Sequence, residues 1–435
     1  MKEILVAGAG KSSVFLIEYL LQHAAKKNLH VTVADAFLQN AVDKINGSKH
    51  GTAERLDVND TKKRQQLVRK SDIVISMLPP ALHIELAKDC LLFEKHLLTA
   101  SYTDEAVKKM NEEIATKNIL FVYEMGLDPG IDHMSAMQMI HTIQKDGGKI
   151  ISFKSHCGGL VAPESDNNPW HYKISWNPAN VVRAGKAGAS FKEDGQIKNI
   201  TYDHLFSPEN KVIVNDNVYS FYANRDSLAY IDLYHLHDTK TFVRTTLRHP
   251  DFIKGWASIV DLHLTDETKK LQTDGLSPAI FFRKHVDENG LQKALPNDPT
   301  ILEQFAFIDF YDDGENINKG LQTPCEVLQY LLEKNLVLTP ADKDMIVMLH
   351  EIEFEKDGNT HSHKSSLVVI GDDNIHTAMA KTVGLPLAIA AIKILDGTIK
   401  LRGLHIPIVP EIYNVVMKEL EKLGVKFESQ KRRFS

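Results

Sequence analysis

Cysteine is scarce: the 435 residues hold three, Cys90, Cys157 and Cys325, far apart and without a CxxC pair. That spacing argues against a disulfide framework and suits a reducing, cytoplasmic environment. Basic charge is not in excess either. The formal charge is -6 and no Lys/Arg run is longer than three residues, the short KRR near the end included, so nucleic acid is not an expected partner. Long hydrophobic runs are missing as well. The longest, GLPLAIAAIKIL, is too short and too interrupted by Gly, Pro and Lys to span a bilayer, so no membrane partner is expected. The opening MKEILVAGAG is cut off by glycines and has no cleavage-like region, so it reads as a strand and not a signal peptide. No internal repeat or low-complexity tract appears.

What is present is the usage of an ordinary soluble chain, 43% hydrophobic and 25% charged, long enough for two or three domains. In the first third, strand-like EILVAGAG, HVTVAD, DIVISMLPP, HLLTAS and NILFVYE alternate with amphipathic stretches such as SSVFLIEYLLQHAAKK. That alternation predicts an α/β fold with a doubly wound parallel sheet, whose ligands bind at the C-terminal strand ends. After about residue 150 the texture changes: ISFKSHCGGL, KNITYD and KVIVNDNVYSF predict a more antiparallel sheet. From Phe242 to His350 the period is mostly helical, ADKDMIVMLHEI included. SSLVVIGD then reads as a strand, and two helices close the chain.

VAGAGKSS resembles a dinucleotide fingerprint. Gly8 and Gly10 stand where the chain must turn tightly and admit a pyrophosphate, followed by Lys11 and Ser12, with Ser13 in the third glycine position. The second strand ends in Asp35, at the distance of a ribose-binding acid. A carboxylate there accepts from both ribose hydroxyls and repels a 2′-phosphate, which favours NAD and leaves NADP possible. The next strand ends offer Asp57 and Val58 in RLDVND, Leu78 in SMLPP, and Ala100 and Ser101 in TASYTD as further cofactor contacts, followed by Leu127 and Asp128 in GLDPG.

Beyond the fingerprint, TASYTD, GLDPGIDHM, SHCGGLVAPE, NPWHYKISW, NRDSL, RTTLRHP and AMAKTVGLPLAIA occur in one order along nearly the whole chain. In these motifs the sequence resembles the glutamate-forming saccharopine dehydrogenases, or saccharopine reductases. The resemblance implies a Rossmann-type domain over 1–128, completed by 400–435. A mixed α/β substrate-binding and dimerisation domain over 129–399 is inserted, with a mostly helical subdomain at about 245–350. It implies a homodimer of lysine metabolism that cleaves saccharopine oxidatively with water to L-glutamate and 2-aminoadipate 6-semialdehyde, or runs the reverse. Asp35 departs from NADP-using fungal members, which tend to carry Arg there. Two other readings stay open: a related imine-reducing dehydrogenase of the carboxyspermidine type, and a non-catalytic NAD-binding scaffold.

Saccharopine carries three carboxylates, so its site needs planar cationic forks. By resemblance, Arg225 and the segment Thr246, Leu247, Arg248 hold carboxylates, whereas Arg244 reads as a surface charge. Loss of hydride beside the secondary amine requires that amine to be neutral, and adding water requires a base. The same correspondence places Ser101, Tyr102 and Asp128 around substrate and cofactor, with Ser175 on the cofactor side and Cys157 facing the cleft. Tyr102, Asp128 and Cys157 are the candidate catalytic residues, Asp128 first. For Cys157 a small buried filler is an equally good reading. In YEMGLDPGIDHM, Asp132 and His133 read as a helix start and not as ligands. His361 and His363 in HSH read as a solvated loop, and no metal is expected.

Overall fold

Short apolar runs bounded by glycines or polar turns become the strands of the first sheet. In the computed structural model, which describes residues 1–434, these are β1 (Lys2–Ala7), β2 (Leu29–Asp35), β3 (Gly51–Arg55), β4 (Ile73–Ser76), β5 (His96–Thr99) and β6 (Leu120–Val122). A late strand, Gly403–His405, joins β6, and the order is Gly403–His405, β6, β5, β4, β1, β2, β3. Every pairing is parallel. Ile73 through Ser76 are all buried, as expected of a strand covered on both faces. The strand order reverses between β1 and β4, the place where such sheets take ligands.

The helix Val14–Lys27 packs on the helix Ala378–Leu395, and the helix Pro410–Lys422 on the helix Ile131–Lys145. These pairings assign Met1–Gly147 and Ile375–Phe427 to the first unit. The boundaries therefore fall at 147 and 375 instead of the expected 128 and 400, because two helices outside those limits bury their apolar faces on the dinucleotide unit. Ala378–Leu395 is long and apolar enough by composition to cross a bilayer, yet 72% of it is buried as a core helix.

The second unit holds Gly148–Asn374 and the segment from Glu428. Its strands are β7 (Lys149–Val161), β8 (Ala189–Glu193), β9 (Gln196–Ile200), β10 (Lys211–Val214), β11 (Asn217–Ala223), β12 (Arg225–Asp226), β13 (Thr241–Arg248), the small pair β14 (Leu271–Gln272) and β15 (Leu321–Gln322), β16 (Asp344–Lys356) and β17 (Asn359–Ile370). The large sheet runs β10, β11, β13, β7, β16, β17 and a terminal strand Glu428–Phe434, with β8, β9 and β12 to one side. Only β7–β13 and β8–β12 are parallel. Asn215-Asp216 and Asp357-Gly358 take positive φ at both residues, which closes tight hairpins between β10 and β11 and between β16 and β17.

Four helices, Pro250–Asp261, Pro278–Asn289, Pro299–Phe307 and Pro324–Asn335, each begin with Pro directly after a capping side chain: His249, Ser277, Asp298 and Thr323. They enclose Trp170, Trp256, Phe281, Phe282 and Phe305, all essentially inaccessible. The helical part is thus narrower than the expected 245–350. β13 continues through Arg248, and DMIVMLHEI is the strand β16, buried without a break from Asp344 to His350. A continuous apolar run carries no period, so its helical reading fails. The HSH segment is likewise strand, in β17, with His363 buried.

Candidate active site

The candidate nucleotide-binding residues lie in the first unit. Gly8 leaves β1 at φ +104, and a Cβ there would stand 2.8 Å from the Met77 carbonyl oxygen, so the turn requires glycine. At Gly10 a Cβ would meet nothing within 4 Å, which leaves open space directly above the turn. Lys11–Ser13 forms a short turn leading into the 14-residue helix Val14–Lys27, and the N-terminus of such a helix favours an anion. Ser13, in the third fingerprint position, is buried and donates to the Gly10 carbonyl at 2.8 Å, which explains why a hydroxyl is tolerated. Asp35 sits against this turn: one carboxylate oxygen accepts from the Ala9 amide at 2.8 Å, the other from the Phe37 amide and the Asn40 side chain at 2.9 and 3.1 Å.

The other expected cofactor residues follow the sheet. Leu78 and Ala100 come just after β4 and β5 and are half-buried; Leu127 is buried. Asp57 is exposed and closes a local turn through the Asn59 amide, while the Val58 carbonyl accepts from buried Arg64. Ser101 gives its carbonyl to Glu124, and its hydroxyl meets His83 Nε2 at 2.6 Å. His83 Nδ1 meets the Ser76 hydroxyl, also at 2.6 Å. Burial lowers the His83 pKa to about 4, with Asp104 opposing, so this imidazole is neutral and joins Ser76 to Ser101. Nothing in the sequence marked His83, a lone histidine after two prolines. Tyr102 donates to Asp128 Oδ1 at 3.3 Å, bringing two of the three candidate catalytic groups together. Asp132, in the first turn of the helix Ile131–Lys145, accepts from the Gly130 amide at 2.6 Å, while His133 lies 3.0 Å from Glu124, a buried contact to the segment before the helix.

The second unit holds the carboxylate-binding candidates. Cys157 of β7 is in register with Thr246 of β13, and His156 with Thr245. Since side chains alternate, Arg244, Thr246, Arg248 and Cys157 share one face, and His156, Thr245 and Leu247 the other. His156 Nδ1 bonds the Thr245 hydroxyl at 2.7 Å and its Nε2 lies 3.3 Å from Glu351. Burial pushes Glu351 up, but His156 and Lys364 outweigh it and hold the carboxyl at about 2. His156 therefore belongs to a structural network, on the face opposite Cys157.

Arg248 is 4% exposed, lies over the rings of Tyr172 and Phe252 at 5.3 and 5.5 Å, and donates from Nη1 to the Leu247 carbonyl at 2.8 Å. Its Nε has no hydrogen-bond partner, and among the described residues no carboxylate pairs with it. Arg244 is buried, not the surface charge expected, with its guanidinium 4.5 Å over Tyr230. Arg225 is exposed on β12 at φ 48 and pairs in register with Ala189, outside the buried row. Leu247 is buried and offers main chain only; Ser175 is buried beside Ile174, whose amide donates to the Leu336 carbonyl. Of the two rings under Arg248, Tyr172 lies in NPWHYKISW and Phe252 just after RTTLRHP, and neither was singled out from the sequence.

Known proteins resemble this chain over nearly its whole length. Residues 4–122 match the saccharopine dehydrogenase NADP binding domain and residues 126–425 the saccharopine dehydrogenase C-terminal domain. The chain is 33% identical to saccharopine dehydrogenase [NADP(+), L-glutamate-forming] of Saccharomyces cerevisiae, covering 98% of both chains. It is also 33% identical to the alpha-aminoadipic semialdehyde synthase of Arabidopsis thaliana, covering 92% of this chain and 40% of that protein. The mitochondrial mouse protein of that name is 32% identical and is covered over 48% of its length. A solved structure of apo saccharopine dehydrogenase (L-Glu forming) from S. cerevisiae superposes with a TM-score of 0.89 at 30% identity, over 99% of this chain and all of that one. The chain belongs to the saccharopine dehydrogenase family.

Proposed function

We propose that the protein is an oxidoreductase acting on a CH–NH bond, which interconverts saccharopine and water with L-glutamate and 2-aminoadipate 6-semialdehyde using a nicotinamide cofactor. The observation that carries this reading is Arg248: a buried guanidinium, stacked on aromatics and lacking a carboxylate partner. A buried cation left unpaired costs several kcal/mol. A bound carboxylate offsets that cost and takes the planar fork bidentately. Thr246 beside it adds a hydroxyl on the same face, and exposed Arg225 is the candidate for a more solvated carboxylate of the same substrate.

The glycine turn, the helix start and Asp35 fit a dinucleotide, and the bound nicotinamide supplies the hydride acceptor. We infer a preference for NAD. Asp35 has lone pairs left for ribose hydroxyls and opposes a 2′-phosphate, although the matched domain and the yeast relative carry NADP in their names. Asp128, held by the Tyr102 hydroxyl, orients the secondary amine and the attacking water and accepts the proton either gives up. Neutral His83 fixes the rotamer of the Ser101 hydroxyl. Cys157, 5% exposed, shares the sheet face of Thr246 and Arg248 and serves with them on the carboxylate side. By family resemblance we also infer a homodimer, read by light scattering, and from three cysteines that are all buried and spaced without a CxxC pair a reducing, cytoplasmic location.

The test is purified protein with saccharopine and NAD or NADP at alkaline pH, following cofactor reduction by absorbance. Reduction with NAD at higher kcat/KM than with NADP is expected. No reduction with either cofactor overturns the activity.

A further inference from the structure

Tyr102 stands between two backbone groups that a single residue holds. Ser101, Tyr102 and Thr103 follow β5, and Glu124 follows β6, all within the first unit. The Glu124 amide donates to the Ser101 carbonyl at 2.9 Å. Its side chain reaches the other side of the tyrosine, where Oε1 accepts from the Thr103 amide at 3.0 Å. The Met125 amide, on the Thr99 carbonyl at 3.0 Å, keeps the two segments together. Glu124 thus grips the chain before and after Tyr102, whose hydroxyl reaches Asp128 Oδ1 at 3.3 Å.

Two further features single out Glu124. Its residue is 4% exposed, and a buried carboxylate persists only where donors satisfy it. Its backbone is left-handed, with φ 58, a region that non-glycine residues seldom occupy and that surrounding contacts must hold. His133, fully buried in the helix Ile131–Lys145, supplies one such contact, its Nε2 lying 3.0 Å from Glu124 Oε2. With Glu124 ionised, the imidazole is the donor in that bond. The chain of contacts runs from the helix through the carboxylate to the Thr103 amide.

We propose that Glu124 is a positioning residue for the reaction: braced by His133, it fixes the Thr103 amide and so sets the Tyr102 hydroxyl against Asp128. This role rests on the saccharopine reading above, in which Asp128 handles the protons, and adds the group that holds its partner in place. The effect falls on kcat, because a displaced Tyr102 hydroxyl disturbs the alignment of the reacting groups.

The first test is steady-state kinetics at saturating saccharopine and cofactor. Glu124→Ala keeps the amide bond to Ser101 and removes only the carboxylate, so kcat should fall about 10–100-fold. Glu124→Gly should do the same, and because glycine suits φ 58 it guards against a folding defect in the alanine variant. Glu124→Gln should recover most of the lost rate. Its amide oxygen accepts from Thr103, and its amide nitrogen donates to His133 in the other tautomer. Added to Tyr102→Phe, Glu124→Gly should cost less than about threefold more, since the hydroxyl it positions is gone. A residue that only supports the fold costs the same in both backgrounds.

A second readout needs no saccharopine. In protein carrying carbon-13 at tyrosine Cζ, the Tyr102 resonance is the one absent from Tyr102→Phe, and Asp128→Ala shows how it moves when the bond breaks. Glu124→Gly should move it in the same direction. A Glu124→Gln variant as slow as Glu124→Gly, losses that multiply fully in the double variant, or an unmoved Tyr102 resonance overturns the proposal. Absence of saccharopine oxidation in the wild type overturns the activity instead, and the resonance alone then decides the role of Glu124.

Discussion

Arg248 joins two demands that rarely coincide, a cation removed from water and an unfilled donor. Its guanidinium lies over the rings of Tyr172 and Phe252, and a planar delocalised cation suits that place better than an ammonium. Arg248→Lys should therefore raise the saccharopine KM about 10–100-fold, equivalent to roughly 1.4–2.8 kcal/mol, with the cofactor KM unchanged. Steady-state kinetics in both substrates decides it, and an unaltered saccharopine KM removes Arg248 from the site. Asp35 tests the other half. Asp35→Ser removes the negative charge while leaving an acceptor for the Ala9 amide, so the ratio of kcat/KM for NAD over NADP should fall about tenfold or more. Residue types were easier to read than residue burial. The arginines of RTTLRHP were visible as candidates, but that Arg244 is buried over Tyr230 follows from the register of β13, which no local pattern reveals.

Between elements, the glycine turn is held by the helix Ala378–Leu395. A Cβ at Gly384 would lie 2.9 Å from the Leu16 amide nitrogen and 3.3 Å from the Ser12 carbonyl oxygen, both backbone atoms of the nucleotide turn and its helix. Gly384→Ala gains about 1 kcal/mol of helix propensity, but overpacking costs about 1–3 kcal/mol. Because backbone cannot rotate away, the clash wins. Net destabilisation in urea and a raised cofactor KM are expected together. Gly10→Ala should behave differently: its Cβ enters open space, so stability changes little while the cofactor KM rises. Equal destabilisation by both would contradict this division. The amphipathic helices, the glycine-ended strands and the Pro-initiated helices were all readable, since each has a period or a cap. β16 was not, because buried strand and buried helix look alike when every position is apolar.

Across the whole molecule, buried histidines tie stability to pH. His83 and His96 in the first unit and His363 in the second each have a pKa lowered from 6.5 to about 4. Burial is the main cause in all three; nearby Arg402 adds to it for His96 and Lys431 for His363. The folded value lies below the unfolded one, so the unfolded chain takes up the proton first as pH falls. Stability is complete above 6.5 and is lost progressively down to about 4. Glu351 extends the loss. Its folded pKa of about 2 lies below 4.5, so its contribution is present above 4.5 and disappears toward pH 2. Calorimetric Tm should therefore decline from pH 6.5 to 4 with net proton uptake on unfolding. His83→Gln, which keeps hydrogen-bonding capacity for Ser76 and Ser101 without a titrating ring, should reduce both the slope and the uptake. A Tm flat across that interval in the wild type, or an unchanged slope in His83→Gln, would show that protonation of this imidazole does not couple to unfolding.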